Sequence, residues 1–149
     1  MHGFVLGLHN VLRWLVLLTG VVALLRYYRG LATGAAWTRR DAVSLSAYAQ
    51  TLSLQLLLGL VLYFFLSPLG MRALGDMGAA MRNSDTRFIA IEHPIAMIAA
   101  VALAHVAMRR TRKAATDAAR FRIAAILVTL SFLLVLARMP WARPLIPHF

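Results

Sequence analysis

The chain has 149 residues, of which 61% are apolar or aromatic and only 14% charged, and its formal net charge is +11. Mean hydropathy is +0.73, the signature of an integral membrane protein and too apolar for a water-soluble domain. Cysteine is absent, which removes disulfides, cysteine-ligated iron–sulfur clusters and thiolate-ligated haem.

The length fits a single domain, 1–149, with no separate soluble module. Four segments reach or approach the ~20 residues needed to cross a ~30 Å hydrocarbon core. They are roughly 4–27, 42–66, 87–108 and 123–139. The expected fold class is all-α, an integral membrane four-helix bundle running up-down-up-down.

The first segment sits where a signal peptide would. It has no basic region before its apolar run, and Arg26-Tyr27-Tyr28-Arg29 follows in place of a small-residue cleavage site. It reads as a retained helix. The connection 28–41 contains Gly30, Gly34 and Trp37, an irregular turn with an interfacial aromatic anchor, and Asp41 is the expected N-cap of the second helix. The second connection, 67–86, opens on the helix stop Ser67-Pro68. Within it Met71, Leu74, Gly75, Gly78 and Met81 recur at helical spacing, which predicts a short amphipathic helix on the membrane surface. Asn83-Ser84-Asp85 supplies a cap for the third span. Three prolines interrupt 140–147, so this tail is expected to lie along the interface with Trp141 at headgroup level.

The positive charge does not point to nucleic acid, because the basic residues lie at helix ends and in short connections. The first connection carries Arg26, Arg29, Arg39 and Arg40, and the third carries Arg109, Arg110, Arg112, Lys113, Arg120 and Arg122. The opposite side has only Arg72, Arg82, Arg87, Arg138 and Arg143. By the positive-inside rule the two basic connections face the cytoplasm and both termini face outward.

Two histidines carry the chemistry. His9 lies about 9 Å along the first helix and His93 about 10 Å along the third, at ~1.5 Å per residue. In an up-down bundle these two helices run the same way from the outer face, so the two imidazoles are expected at one level. An intramembrane ionisable side chain is costly unless it has a partner or a function. Two imidazoles facing across a gap have the geometry that axial ligation of a b-type haem requires. Below His9 on its stripe lie Val16 and Gly20; below His93 lie Met97, Ala100 and Ala104. Such small inner residues leave room for a flat cofactor or for close helix packing.

Arg13 is one turn below His9 on the same face, and Glu92 adjoins His93. A mutual Arg13–Glu92 ion pair is the expected arrangement. Arg13 and Arg87 are also candidates to neutralise haem propionates, and Glu92 to tune the site or relay protons. Pro94 frees the carbonyl of Ala90 and predicts a kink. His105, about 18 Å below His93, is a candidate ligand for a second haem. The first helix offers it no partner near Val21 or Val22. Tyr27, Tyr28, Ser46 and Gln50 lie near its level, where a quinone head group is a candidate occupant. Ser46, Gln50 and Ser53 share a stripe and are expected to hydrogen-bond between helices, as is Gln55 on another face. Met71, Met77 and Met81 lack the Met-x-Met or His-x-His runs of a copper site.

The runs Leu8-His9-Asn10-Val11-Leu12-Arg13-Trp14 and Gln55 to Tyr63, then Met81-Arg82-Asn83, Arg87-Phe88, Glu92-His93 with His105, and finally Pro140-Trp141, resemble a family of small bacterial four-helix membrane proteins labelled cytochrome b-like. The resemblance covers nearly the whole chain. It implies a haem b carrier in a bacterial inner membrane and points to His9, Arg13, Glu92, His93 and His105. The chain resembles more distantly the four-helix di-haem b-type cytochromes, from which it departs by having too few matched histidines for two haems. The reading is a one-haem electron carrier between a membrane quinol and an outer-side partner, working with other redox subunits. The alternatives are a cofactor-free structural or assembly subunit of a respiratory or photosynthetic complex, and a small transporter using Glu92, Arg13 and His93 as an ion relay.

Overall fold

In a computed structural model that describes residues 1–141, the chain folds as four membrane-length helical spans and one short surface connection. No strand occurs among the described residues. The first span is α1 (His2–Thr33). The second is α2 (Arg39–Val61), extended by a wide π turn at Leu62–Leu66. A 3₁₀ turn (Met71–Asp76) and α3 (Met77–Arg82) cross the end of the bundle. The third span joins α4 (Ser84–Arg87), a second π turn (Phe88–Glu92) and α5 (His93–Lys113). The fourth is α6 (Asp117–Ala137). All four spans are long and apolar enough to cross a membrane, with mean hydropathies of 1.7 to 2.0 over their best windows. The fold is that of a multi-pass membrane protein.

The short connections force alternate directions. α1 packs on α2 and α6, and α5 packs on the same two helices, so α1 and α5 stand diagonally across the bundle. The interior is lined by small residues. Ala96, Ala100, Ala104 and Ala107 form one buried stripe along α5 and face Ala23, Ala49, Ala124 and Ala125. Large apolar side chains point outward instead: Leu18, Leu25, Leu57, Ile95 and Leu133 are all exposed. Lipid tails solvate leucine as well as a protein core does, so small residues inside and large ones outside is the distribution a bilayer favours.

Polar side chains pin the helices together. Ser131 Oγ donates to the carbonyl of Ala100 at 2.8 Å, which leaves Tyr48 Oη to donate to Ser131 at 2.9 Å. The pair ties α2, α5 and α6 at one level. Ser53 Oγ and His105 Nε2 lie 2.9 Å apart between α2 and α5.

Four local features differ from the sequence expectations. α1 runs on to Thr33, past the arginines at 26 and 29, because long basic side chains reach the interface without ending the helix. Asp41 is the third residue of a capping box and Thr38 is the N-cap, with Asp41 Oδ2 accepting from the Thr38 amide at 2.8 Å. Trp37 turns inward rather than anchoring at the interface, stacked 5.8 Å from Tyr27 and tilted 4.9 Å from Phe121. The surface helix is split into a 3₁₀ turn and the six residues of α3, which starts on an Asp76 cap and buries only Ala80. Asn83 does cap α4, accepting from the Thr86 amide at 2.9 Å. The proline-rich tail beyond 141, Arg143 included, lies outside the described residues. Trp141 is exposed and its Nε1 donates to the carbonyl of Leu136 at 2.9 Å.

Candidate functional site

The third span is distorted where the sequence places its chemistry. Pro94 has no amide hydrogen, so the carbonyl of Ala90 loses its helical partner. The backbone widens into the π turn Phe88–Glu92, and the phenol of Tyr63 donates to the Ala90 carbonyl at 3.0 Å. Tyr63 itself belongs to the π turn that ends the second span. The two irregular turns are thus fastened to each other at the same end of the bundle. π turns recur at functional sites because the extra residue re-aims the neighbouring side chains.

Beside these turns the four spans splay around a cavity of about 460 Å³. That size falls within the ~300–1,000 Å³ of ordinary cofactor and ligand pockets. His9 of α1 and His93 of α5 both line it, from diagonal helices. Its walls are mainly apolar, with Val16, Leu52, Leu56, Leu60, Met97 and Val135 among them. Arg13 lines it too and is almost fully buried, its guanidinium 5.9 Å from the centre of the Trp14 ring.

The state of His93 is set by its partner. Nδ1 lies 2.6 Å from the carbonyl oxygen of Arg138, which can only accept, so Nδ1 carries the hydrogen. In the neutral ring Nε2 then has a lone pair, and this is how metal-binding histidines are commonly held. His9 packs against the second span at Gly59, where an added methyl would stand 3.3 Å from the His9 ring. The amide of Gln55 donates to the His9 carbonyl at 2.9 Å. His9 Nδ1 and Gln55 Oε1 are each buried with no hydrogen-bond partner among the described residues. Each such orphan costs about 1–3 kcal/mol. The cost is concentrated on one cavity wall.

The remaining predicted residues are distributed as follows. Met97 is buried and lines the cavity. Gly20 does not: its open face is filled by Phe132 and Tyr48, and a Cβ there would stand 2.5 Å from the Phe132 ring. The slot expected to admit a cofactor admits an aromatic side chain from α6 instead. The Arg13–Glu92 ion pair is replaced by another arrangement. Glu92 pairs with Arg87 at 2.9 Å and with Arg138 at 3.3 Å, at the rim of the bundle. Arg87 also donates to the carbonyl of Met81 at 3.1 Å, so its guanidinium is engaged by protein groups. The pair was expected from the cost of an unpartnered intramembrane charge, and two other arginines, Arg87 and Arg138, meet that need at the rim. His105 is exposed, bonded to Ser53 and outside the cavity.

Sequence reasoning passed over Gln55, Gly59, Tyr63 and Arg138 as parts of the site. The first two follow each other by one turn and so share a face, a detectable signal; the Tyr63 and Arg138 contacts depend on tertiary placement. His2, two turns before His9 on α1, also lines the cavity.

No group of three or more His, Cys, Asp or Glu gathers among the described residues. A haem iron needs only two axial ligands from protein, and His9 with His93 can furnish them. The apolar walls suit a porphyrin, Arg13 suits a carboxylate, and the unpartnered His9 nitrogen marks a wall built for more than packing. These residues fit the group. No protein-family model, no curated protein and no solved structure matches this chain.

Proposed function

We propose that the chain is a membrane-bound b-type cytochrome that holds one haem between its first and third spans. The observation that carries this reading is that His9 and His93, on diagonal helices, line one apolar cavity of about 460 Å³. When bound, the haem supplies one-electron chemistry. The chain's own residues do the rest. His93, its Nδ1 held by the Arg138 carbonyl, would offer Nε2, His9 would offer the second ligand, and Gln55 steadies that turn of α1 through the His9 carbonyl. Arg13 balances a propionate from within the cavity. Arg87 and Glu92 serve as a rim pair that fixes the Arg138 turn and with it the orientation of His93. The apolar walls exclude water from the space the group would fill.

In this reading the protein sits in a bacterial inner membrane with both termini outward, as the excess of basic residues in the first and third connections supports. The cavity then lies near the outer face. Electrons pass between a membrane quinol and an outer-side partner, and so small a carrier works with other redox subunits. A second reading, a cofactor-free structural subunit, draws on the Tyr48–Ser131–Ala100 and Ser53–His105 pins, which hold the bundle together without any ligand.

A visible spectrum of the purified, dithionite-reduced protein separates the two. A b-type band pattern that disappears in His9→Ala and in His93→Ala supports the haem reading. A colourless preparation from haem-replete cells establishes the structural subunit instead, and a band that survives both substitutions moves the haem elsewhere.

A further inference from the structure

The basic end of the bundle, opposite the histidines, holds a second cavity of about 140 Å³ where α2, α5 and α6 meet. It is too small for a drug-sized ligand, whose pockets begin near ~300 Å³. Its lining is divided. Arg112 and Arg120 are its charged residues, Thr111 is polar, and Trp37, Ala42, Leu45 and Met108 form the apolar remainder. Ala42 lies just inside the start of α2 and Arg120 just inside the start of α6, so two positive helix ends converge here, beside the C-terminal end of α5, whose own negative dipole is offset by Arg112.

The charge balance at this end is one-sided. Arg26, Arg29, Arg39, Arg40, Arg109, Arg110, Arg112, Lys113, Arg120 and Arg122 lie in or beside the first and third connections, against only Asp41 and Asp117. Both acids are already engaged, Asp41 by Arg26 at 2.9 Å and Asp117 by Arg120 at 3.1 Å. Arg112 makes no hydrogen bond or ion pair among the described residues. Of the apolar lining, Ala42 is exposed and Met108 half-buried, so the wall opens onto the outer surface of the bundle. A guanidinium pair above an apolar wall that continues into the lipid-facing surface is complementary to an anion with a hydrocarbon chain beneath it.

We propose that this cavity seats the phosphodiester of an anionic phospholipid. The phosphate lies between Arg112 and Arg120, and the first acyl segment runs against Ala42 and Met108. A free phosphate shares the anion but makes no use of the apolar wall. The proposal is independent of haem binding.

The test uses the full-length protein in a neutral detergent. Phosphatidylglycerol, phosphatidylcholine with the same acyl chains, and inorganic phosphate are the probes, read by native mass spectrometry and by thermal midpoint. One saturable phosphatidylglycerol per chain is expected, with phosphatidylcholine markedly weaker. Arg112→Gln should weaken phosphatidylglycerol about fivefold. Arg110→Gln removes an exposed charge from the same turn that does not line the cavity, and should leave binding within about twofold. Both positions are exposed, and the lipid-free midpoints of the variants show that folding is kept. Equal binding of the two lipids overturns the proposal. Equal losses in the two arginine variants also overturn it, because the attraction is then a diffuse surface field. Displacement of the lipid by millimolar inorganic phosphate, with phosphate alone raising the midpoint, overturns the lipid and leaves a phosphate site.

Discussion

Around Tyr27, Tyr48, Ala104, Ala107, Phe121 and Val128 the bundle is closed, with each of these side chains 0–2% exposed. Around His9 and His93 the same four spans part to leave about 460 Å³. The difference follows from the residues at the interfaces. In the closed half, buried alanines let the helices approach, Gly20 and Gly30 receive the rings of Phe132 and Phe121, and the phenol of Tyr48 finds Ser131. In the open half, Pro94 interrupts α-helical bonding, two π turns widen the spans, and orphaned polar atoms remain on Gln55 and His9. One half is arranged for stability and the other carries a cost that packing alone does not explain. Irregular turns and unsatisfied groups of this kind collect at sites with a function.

Substitutions in each half test this contrast. The largest effect on stability is expected from Gly20→Leu, which forces a side chain into the space held by Phe132 and Tyr48. It should cost about 3 kcal/mol, the upper range of overpacking, read as a fall in the midpoint of denaturant-induced unfolding in detergent. A tolerated leucine would show that the closed half is not tight. Next comes Tyr63→Phe, which leaves the Ala90 carbonyl without a donor. A loss of about 2 kcal/mol is expected, with faster hydrogen exchange confined to the His93 end; a uniform increase along the bundle would contradict the local role. Tyr48→Phe removes one interhelical bond in the closed half and should cost about 1 kcal/mol, in line with such bonds in membranes. Its cavity, and any haem spectrum, should be unchanged. The smallest change in stability is expected for Gly59→Ala, about 0.5 kcal/mol or less, since the His9 ring has only to give a few tenths of an ångström. If the proposed haem is bound, its ratio to protein, however, should fall. If Gly59→Ala alters stability more than Tyr48→Phe does, the halves are not divided as described.

The four spans were legible in the sequence because hydropathy alone marks them, and the Asn83 cap and the effect of Pro94 followed from local chemistry. Depth was legible as well: counting along the helices puts His9 and His93 at one level, and they do line one cavity. Direction around the helix was less so. The cost of an unpaired charge put Glu92 with Arg13, but Arg87 and Arg138 reach it at the rim instead. Gly20 was read as room for a flat cofactor or for close helix packing, and the position of Phe132 decides for packing. Gln55 was read as a link between helices. It is one, through the His9 carbonyl, but its other amide atom belongs to the cavity wall.

The hydrogen bond from Tyr63 to Ala90 has a mechanical consequence. A carbonyl normally held by its own helix is held instead by a neighbour, so the ends of the second and third spans move as one lever. Beyond Tyr63 lies Gly70, which is pressed so closely on the Tyr63 carbonyl that no larger residue fits without displacement. Ala90, Tyr63 and Gly70 thus form an unbroken line of contact from the His93 turn at the buried cavity to the surface connection.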